Sequence, residues 1–403
     1  MRAVGVRGGA WIGGVSAWGD VFVDGQQRLC WFVAADDRWY RPSRETTVRQ
    51  REISGVPVIE TRIKVPGGDA VQRVYGVANF GGAIVVEIYN DSSLPFAVAF
   101  DRGDISTMRA PSPTGVQGID LPEGSVVFPV GHHATMRVAI LINGDSRQIS
   151  AGELEALPSF EQVERGWLGA LQISSRVDVP EVSWTTLLTQ NRCQILLSEP
   201  QIFNSQTDDV EFVLDIAERV RMGDKAMQLS SDIAVATEKI IKRCVENKIV
   251  QWDEDRAILS ASMLLHRAGE RRGRDDLARI WSRLTETNRS REMTAFIKSS
   301  SRCAAWIESQ LVAYRRDGSV DLCPRGIDQS WLGVNFECHK LLATPEHTIS
   351  FAVRWHGDRP ALLWDLDGPA GVRVVASAVD SSFSTTDARG ETLLSGFANL
   401  GAK

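Results

Sequence analysis

Apolar positions change their period twice along this chain. Up to about residue 150 they alternate with polar ones, in runs at 29–33, 56–65, 71–78, 83–89, 96–100, 126–130 and 136–142. A period of two marks a strand with one packed and one wet face, and Ile59-Glu60-Thr61-Arg62-Ile63-Lys64-Val65 carries it cleanly. Turn-forming residues separate the runs: Asp24-Gly25, Pro66-Gly67-Gly68-Asp69, Gly81-Gly82, Asn90-Asp91 and Asn143-Gly144. Many short strands at near-regular spacing predict an antiparallel β-sandwich over residues 1–150, in which the turn at 90–95 joins two strands as a hairpin.

Past a polar linker at 143–158 the spacing becomes three to four, the period of a helix with one buried stripe. Ser159 with Gln162 forms a capping-box start, and a second helix is expected over 185–197, ahead of Pro200. Asp208 and Asp209 open a third that closes at Gly223, and a fourth follows Ser230. Asp253 is the expected N-cap of a fifth, ending at Gly269; two more run through Leu277 to Leu284 and from Met293 through Trp306 to Tyr314. These make a central all-α domain of about seven helices, residues 151–317. Each stripe is narrow, so the helices are expected to pack in pairs or on a sheet, not to be buried on all sides. Alternation then returns at 334–339, 348–355, 361–366 and 372–379, with a tight turn at His356-Gly357-Asp358-Arg359, and predicts a small all-β domain over 318–403. The fold class is α+β and multidomain.

Composition narrows the function classes. A formal net charge of -6 argues against a general nucleic-acid or anionic-membrane binder. Arg267, Arg271, Arg272 and Arg274 lie beside Glu270, Asp275 and Asp276, which reads as a solvated, ion-paired connection. Six thinly spread cysteines predict reduced thiols and a cytoplasmic protein, and no run is long enough for a membrane span. His132-His133 and the neighbours Cys338 and His339 do not make a metal set, because adjacent strand residues point to opposite faces. No phosphate-cradling glycine loop or nucleophile elbow occurs, so no cofactor is expected.

Twelve tryptophans against four tyrosines raise the prospect of sugar-stacking platforms, with Trp31 and Trp39 close to Asp36, Asp37 and Arg38, and with Trp355 near the C-terminal strands. Trp167, Trp281 and Trp306 lie on apolar helical stripes and read as core. Asp253, Glu254 and Asp255 present carboxyl groups at a helix start; acids there ordinarily cap N–H groups, whereas glycoside cleavage requires two carboxyls roughly 5–10 Å apart.

The order of sandwich, helices and small β-domain resembles the six-hairpin glycosidase clan, the glucoamylases and maltose phosphorylases. Trp252-Asp253-Glu254-Asp255, with Ile258-Leu259 and Leu264-Leu265, is similar to the sugar-contacting Trp-Asp-Thr-Glu string of that clan's phosphorylases. Ser350-Phe351-Ala352-Val353-Arg354-Trp355-His356 followed by Leu362-Leu363-Trp364 resembles its paired C-terminal strands. The clan's barrel needs far more helix than this chain holds, and no second acid stands in a matching context. The layout also resembles uncharacterised bacterial proteins, which implies no activity. The expectation is a non-catalytic or reduced glycosidase-like protein that binds carbohydrate or a protein partner through Trp39, Asp37, Arg38, Trp252, Asp253 and Trp355. The alternatives are a carbohydrate-active enzyme using Glu254 or Asp255 as acid, and an interaction scaffold built on the helices.

Overall fold

The computed structural model describes residues 1–36, 38–112, 121–143, 149–225, 230–286, 299–357 and 359–395. The chain is mixed helix and strand, with eight α-helices among the described residues. It divides into two compact units, residues 1–168 with 196–199 and residues 169–195 with 200–403.

The first unit is mostly antiparallel sheet. Its strands are β1 (Arg2–Gly5), β2 (Ile12–Val15), β3 (Val21–Phe22), β4 (Trp31–Ala35), β5 (Arg38–Tyr40), β6 (Arg49–Glu52), β7 (Val58–Val65), β8 (Gly68–Val77), β9 (Ala83–Ser92), β10 (Phe96–Phe100), β11 (Ser106–Thr107), β12 (Val126–Val130) and β13 (Thr135–Leu141). One sheet runs β12-β10-β4-β5 and another β11-β13-β9-β8-β7-β6, and side chains of both, among them Trp31, Phe100, Phe128, Ile59, Val86 and Val138, bury into one cluster. The turn at 90–95 is not a hairpin. It carries the chain from β9, paired with β8 and β13, to β10, paired with β4 and β12, because the Asn90 side chain ties the turn to the carbonyls of Leu94 and Val130. β1 lies so close to β8 that a Cβ at Gly76 would sit 2.6 Å from the carbonyl oxygen of Gly5, so only glycine fits.

The polar face of β7 is not wet throughout, as alternation alone predicts. Glu60 is 2% exposed because Arg51, Arg62 and Arg73 close over it at 2.9 to 3.1 Å. In register across the sheet stand Arg51, Glu60, Arg73, Glu87 and Arg137, a ladder of alternating charge in which each carboxylate meets an arginine on either side.

Helix α1 (Ala151–Glu155) lies inside the expected linker, started by a reciprocal Ser150–Glu153 capping box, and α2 (Phe160–Leu171) begins at the Ser159–Gln162 pair as expected. The chain continues with β14 (Arg176–Asp178), α3 (Val182–Leu197), α4 (Asp209–Arg221), α5 (Ser230–Asn247), β15 (Ile249–Val250), α6 (Trp252–Ala268), α7 (Arg271–Trp281), β16 (Thr285–Glu286) and α8 (Ser300–Leu311). Strands follow: β17 (Val312–Tyr314), β18 (Val320–Leu322), β19 (Phe336–Thr344), β20 (His347–His356), β21 (Arg359–Asp367), β22 (Val374–Ala376), β23 (Asp380–Thr385) and β24 (Arg389–Leu393). They form sheets in the orders β14-β19-β20-β21-β24 and β17-β18-β22-β23, and their buried residues share a cluster with Trp306 and Ile307 of α8. Among the described residues no helix is long and apolar enough to cross a membrane.

Three expectations change here. The N-cap of α6 is Gln251, and Asp253 falls in the first turn. The last helix stops at Leu311, and Tyr314 belongs to β17, where Val312-Ala313-Tyr314 suits a strand and pairs with β18; the expected start at Met293 lies outside the described residues. Helix α4 is buried on all sides, every residue from Asp209 to Arg221 except Glu211, because its charged residues are paired inside the helical layer.

That pairing centres on Glu308 of α8, which is fully buried. Its carboxylate accepts from Arg192 at 2.9 Å, Arg221 at 2.8 and 3.1 Å and Arg256 at 3.0 Å, while Glu218 takes Arg192 at 2.9 Å and also Arg221. Burial by itself would raise the pKa of Glu308; the charges of Arg221, Arg192 and Arg256 overcome it and hold the group far below the usual carboxylate range.

Glu337 on β19 sits in a more open cluster. Hydrogen bonds from Arg354 and His339 lower its pKa from 4.5 to about 2. A carboxyl depressed in the folded state contributes stability above its unfolded pKa and loses it as pH falls through the folded one. Acid melting should therefore steepen between pH 4.5 and about 2, and Glu337→Gln should flatten that part of the curve. Coincident wild-type and variant melting temperatures across this window would refute the assignment.

Candidate functional site

The carboxylates at the start of α6 are all engaged. Glu254 accepts from the Gln251 N–H at 3.0 Å and from the Cys244 thiol at 3.4 Å, which is the work of a helix-start acid. Asp253 takes the Glu254 N–H at 3.0 Å and Arg302 at 3.1 Å. Asp255, one turn position further on and buried, accepts from the Trp281 indole N–H and from Arg316, each at 2.7 Å.

Those two bonds make Asp255 an anchor for an aromatic wall. The Trp281 ring carries the Arg316 guanidinium 3.7 Å above its centroid and stacks with Tyr314 at 4.8 Å, 6° from parallel. Trp281 and Tyr314, with Ile258, Leu259 and Ser262 of α6, Arg274 and Ala278 of α7 and Val372, line a pocket of about 300 Å³. The turn from Thr344 to His347, between β19 and β20, completes it.

The polar end of this pocket is built by that turn and α7. Arg274 donates to Glu346, and its Nη1 also meets His266 Nδ1 at 3.3 Å. His347 is fixed at both nitrogens: Nε2 donates to the Pro369 carbonyl at 2.6 Å, so Nδ1 accepts from the Thr344 hydroxyl at 2.7 Å. Gly368 leaves room for this ring, since a Cβ there would fall 2.4 Å from it. Burial pushes the Tyr314 phenol up in pKa, and the Glu346 carboxylate adds to the shift. Tyr314 therefore presents a neutral hydroxyl, next to one ion-paired carboxylate and one guanidinium.

The other residues singled out by sequence lie elsewhere. Trp39 is buried with Phe32, Ala99 and Val127 on the four-stranded sheet, and Trp31 is core, donating to the Trp18 carbonyl at 2.9 Å. Arg38 is exposed, against the Tyr40 ring at 3.9 Å and Glu45 at 3.1 Å; Asp37 lies outside the described residues. Trp252 and Trp355 are half-buried and pack against the clusters of the second unit without lining the pocket. Trp281 was legible only as core and Tyr314 only as the end of a helical stripe, while Glu346 and His347 carried no signal, because elements far apart in sequence bring them together.

His132 and His133 stand in a turn, not on a strand, so their rings face each other at 3.7 Å instead of diverging. Both are used: His132 meets the Ser92 carbonyl at 2.5 Å and His133 the Tyr89 hydroxyl at 3.0 Å. Among the described residues no group of three or more His, Cys, Asp or Glu converges as a metal set would. No family model matches this chain, and no curated protein matches it.

Proposed function

We propose that this protein is a non-catalytic, glycosidase-like carbohydrate binder, laid out as an N-terminal sandwich, a helical domain and a C-terminal β-domain, that takes one sugar ring in the pocket beside Trp281. The observation that carries this reading is the pairing of an aromatic, apolar wall with Arg274 and Glu346 at one end. The C–H face of a pyranose suits the Tyr314 and Trp281 side, while neighbouring hydroxyls suit the planar ends of Arg274 and Glu346. A volume near the lower end of the usual 300–1,000 Å³ range suits a single ring and not a long glycan.

Binding without cleavage is the better-supported form. Of the described residues lining the pocket, Glu346 is the one carboxylate, whereas glycoside hydrolysis needs a pair roughly 5–10 Å apart. Glu254 and Asp255 are held by Gln251, Cys244, Trp281 and Arg316. The six free cysteines support a reducing, cytoplasmic setting.

Titration calorimetry with a panel of monosaccharides is the test. At least one should bind and raise the melting temperature, Glu346→Gln should weaken it roughly 10- to 100-fold through the lost charge-assisted bonds, and no released sugar should appear with disaccharides. Binding by none of the panel would overturn the carbohydrate reading, and turnover would overturn the non-catalytic one.

A further inference from the structure

The pocket does not end at its polar mouth. A second hollow, of about 440 Å³, shares Arg274 and Glu346 with it and is completed by His266, Gly269 and Arg271. Its lining sets two guanidiniums against one carboxylate, and that carboxylate is already bound to Arg274. Arg271 is exposed and has no ion-pair partner among the described residues. Since arginine only donates, the contact from Arg274 makes His266 Nδ1 an acceptor, which leaves the ring proton on Nε2 as a further donor.

Charge limits what this hollow can take. Arg274 also holds Asp275 at 3.0 Å, but that carboxylate is 61% exposed, and a weak surface pair of this kind exchanges readily for a stronger multidentate anion. Glu270 and Asp276 flank the same surface, with Asp276 on Arg279 at 2.9 Å, so there is no continuous basic stripe for a polymeric anion. One compact anion, held from two sides, is what fits.

Resting on the reading that the neighbouring pocket holds a sugar ring, we propose that the ligand is a phosphorylated sugar, its ring against Tyr314 and Trp281 and its phosphate in the adjoining hollow. Arg271 and Arg274 then donate to the phosphate oxygens, joined by the His266 Nε2–H. Arg274 borders both chambers and so couples recognition of the ring to that of the anion.

The test is a matched titration of the full chain with glucose, galactose and mannose and with their 6-phosphates, in wild type and in Arg271→Ala. Within the wild type, at least one phosphate should bind roughly tenfold or more tighter than its neutral sugar. In Arg271→Ala that ratio should collapse toward one, with the melting temperature of the unliganded protein reporting that the surface substitution leaves the fold intact. Equal affinity for sugar and sugar phosphate in the wild type, or a ratio that survives Arg271→Ala, overturns the phosphate assignment and leaves the carbohydrate pocket standing. Failure of every sugar and every phosphate to bind overturns the pocket reading, and the phosphate assignment with it.

Discussion

Glu308→Gln is expected to destabilise the second unit by roughly 3–5 kcal/mol, the cost of removing one partner from a buried charge network. The substitution keeps the shape and one acceptor oxygen, so the loss is electrostatic. Arg192, Arg221 and Arg256 converge on this carboxylate, and without it only Glu218 remains to balance them there. These arginines come from α3, α4 and α6, while Glu308 comes from α8, so three helices lose their common partner on the fourth at once. Urea unfolding followed by far-UV circular dichroism measures the change as a shift in midpoint. A loss under about 1 kcal/mol would mean that water reaches the site and screens the arginines, contrary to their burial. Replacing the whole network with apolar residues is a different experiment, which buried ion networks elsewhere tolerate far better than loss of one member.

The same network explains why part of the fold was legible in the sequence and part was not. Several local signals were sound, although the N-cap of α6 fell two residues earlier than Asp253, at Gln251. Asp208 does accept from the N–H groups of Val210 and Glu211 at 3.0 Å, Gly269 does end α6 in the left-handed region, and Ser159 with Gln162 does start α2. The all-round burial of α4 was not legible, because Asp215, Glu218, Arg219 and Arg221 read as a solvent face until Glu308, Arg192 and one another are placed beside them. The crossing from β9 to β10 was hidden for the same reason, since a turn sequence fixes a local bend and not the sheet that receives the next strand.

At the site the pattern repeats. Asp255 stood out in the sequence only as a candidate acid at a helix start; its partners Trp281 and Arg316 lie far along the chain, and their bonds to it tie it to the aromatic wall of the pocket. Tyr314 followed a helical stripe by spacing and is carried into the site by a strand. The turn of Thr344 to His347 drew no reading from the sequence, and it is Arg274 of α7, far away in the chain, that pairs with Glu346.

Trp281→Ala should cost about 3–5 kcal/mol of stability and abolish sugar binding together. The ring is 6% exposed, stacks with Tyr314, carries Arg316 and donates to Asp255, so truncation removes buried area and leaves one of the two donors on that carboxylate. Trp281→Phe separates the two effects. It keeps an aromatic ring for Tyr314 and the ligand while deleting the indole N–H, so stability should fall by roughly 1–3 kcal/mol for the lost bond to a buried carboxylate, with binding largely retained. Urea unfolding and calorimetric titration on both variants and the wild type make the comparison. Retained affinity in a folded Trp281→Ala protein would place the ligand somewhere other than this pocket, because no occupant of the space beside Tyr314 can be indifferent to loss of the ring that holds Tyr314 flat.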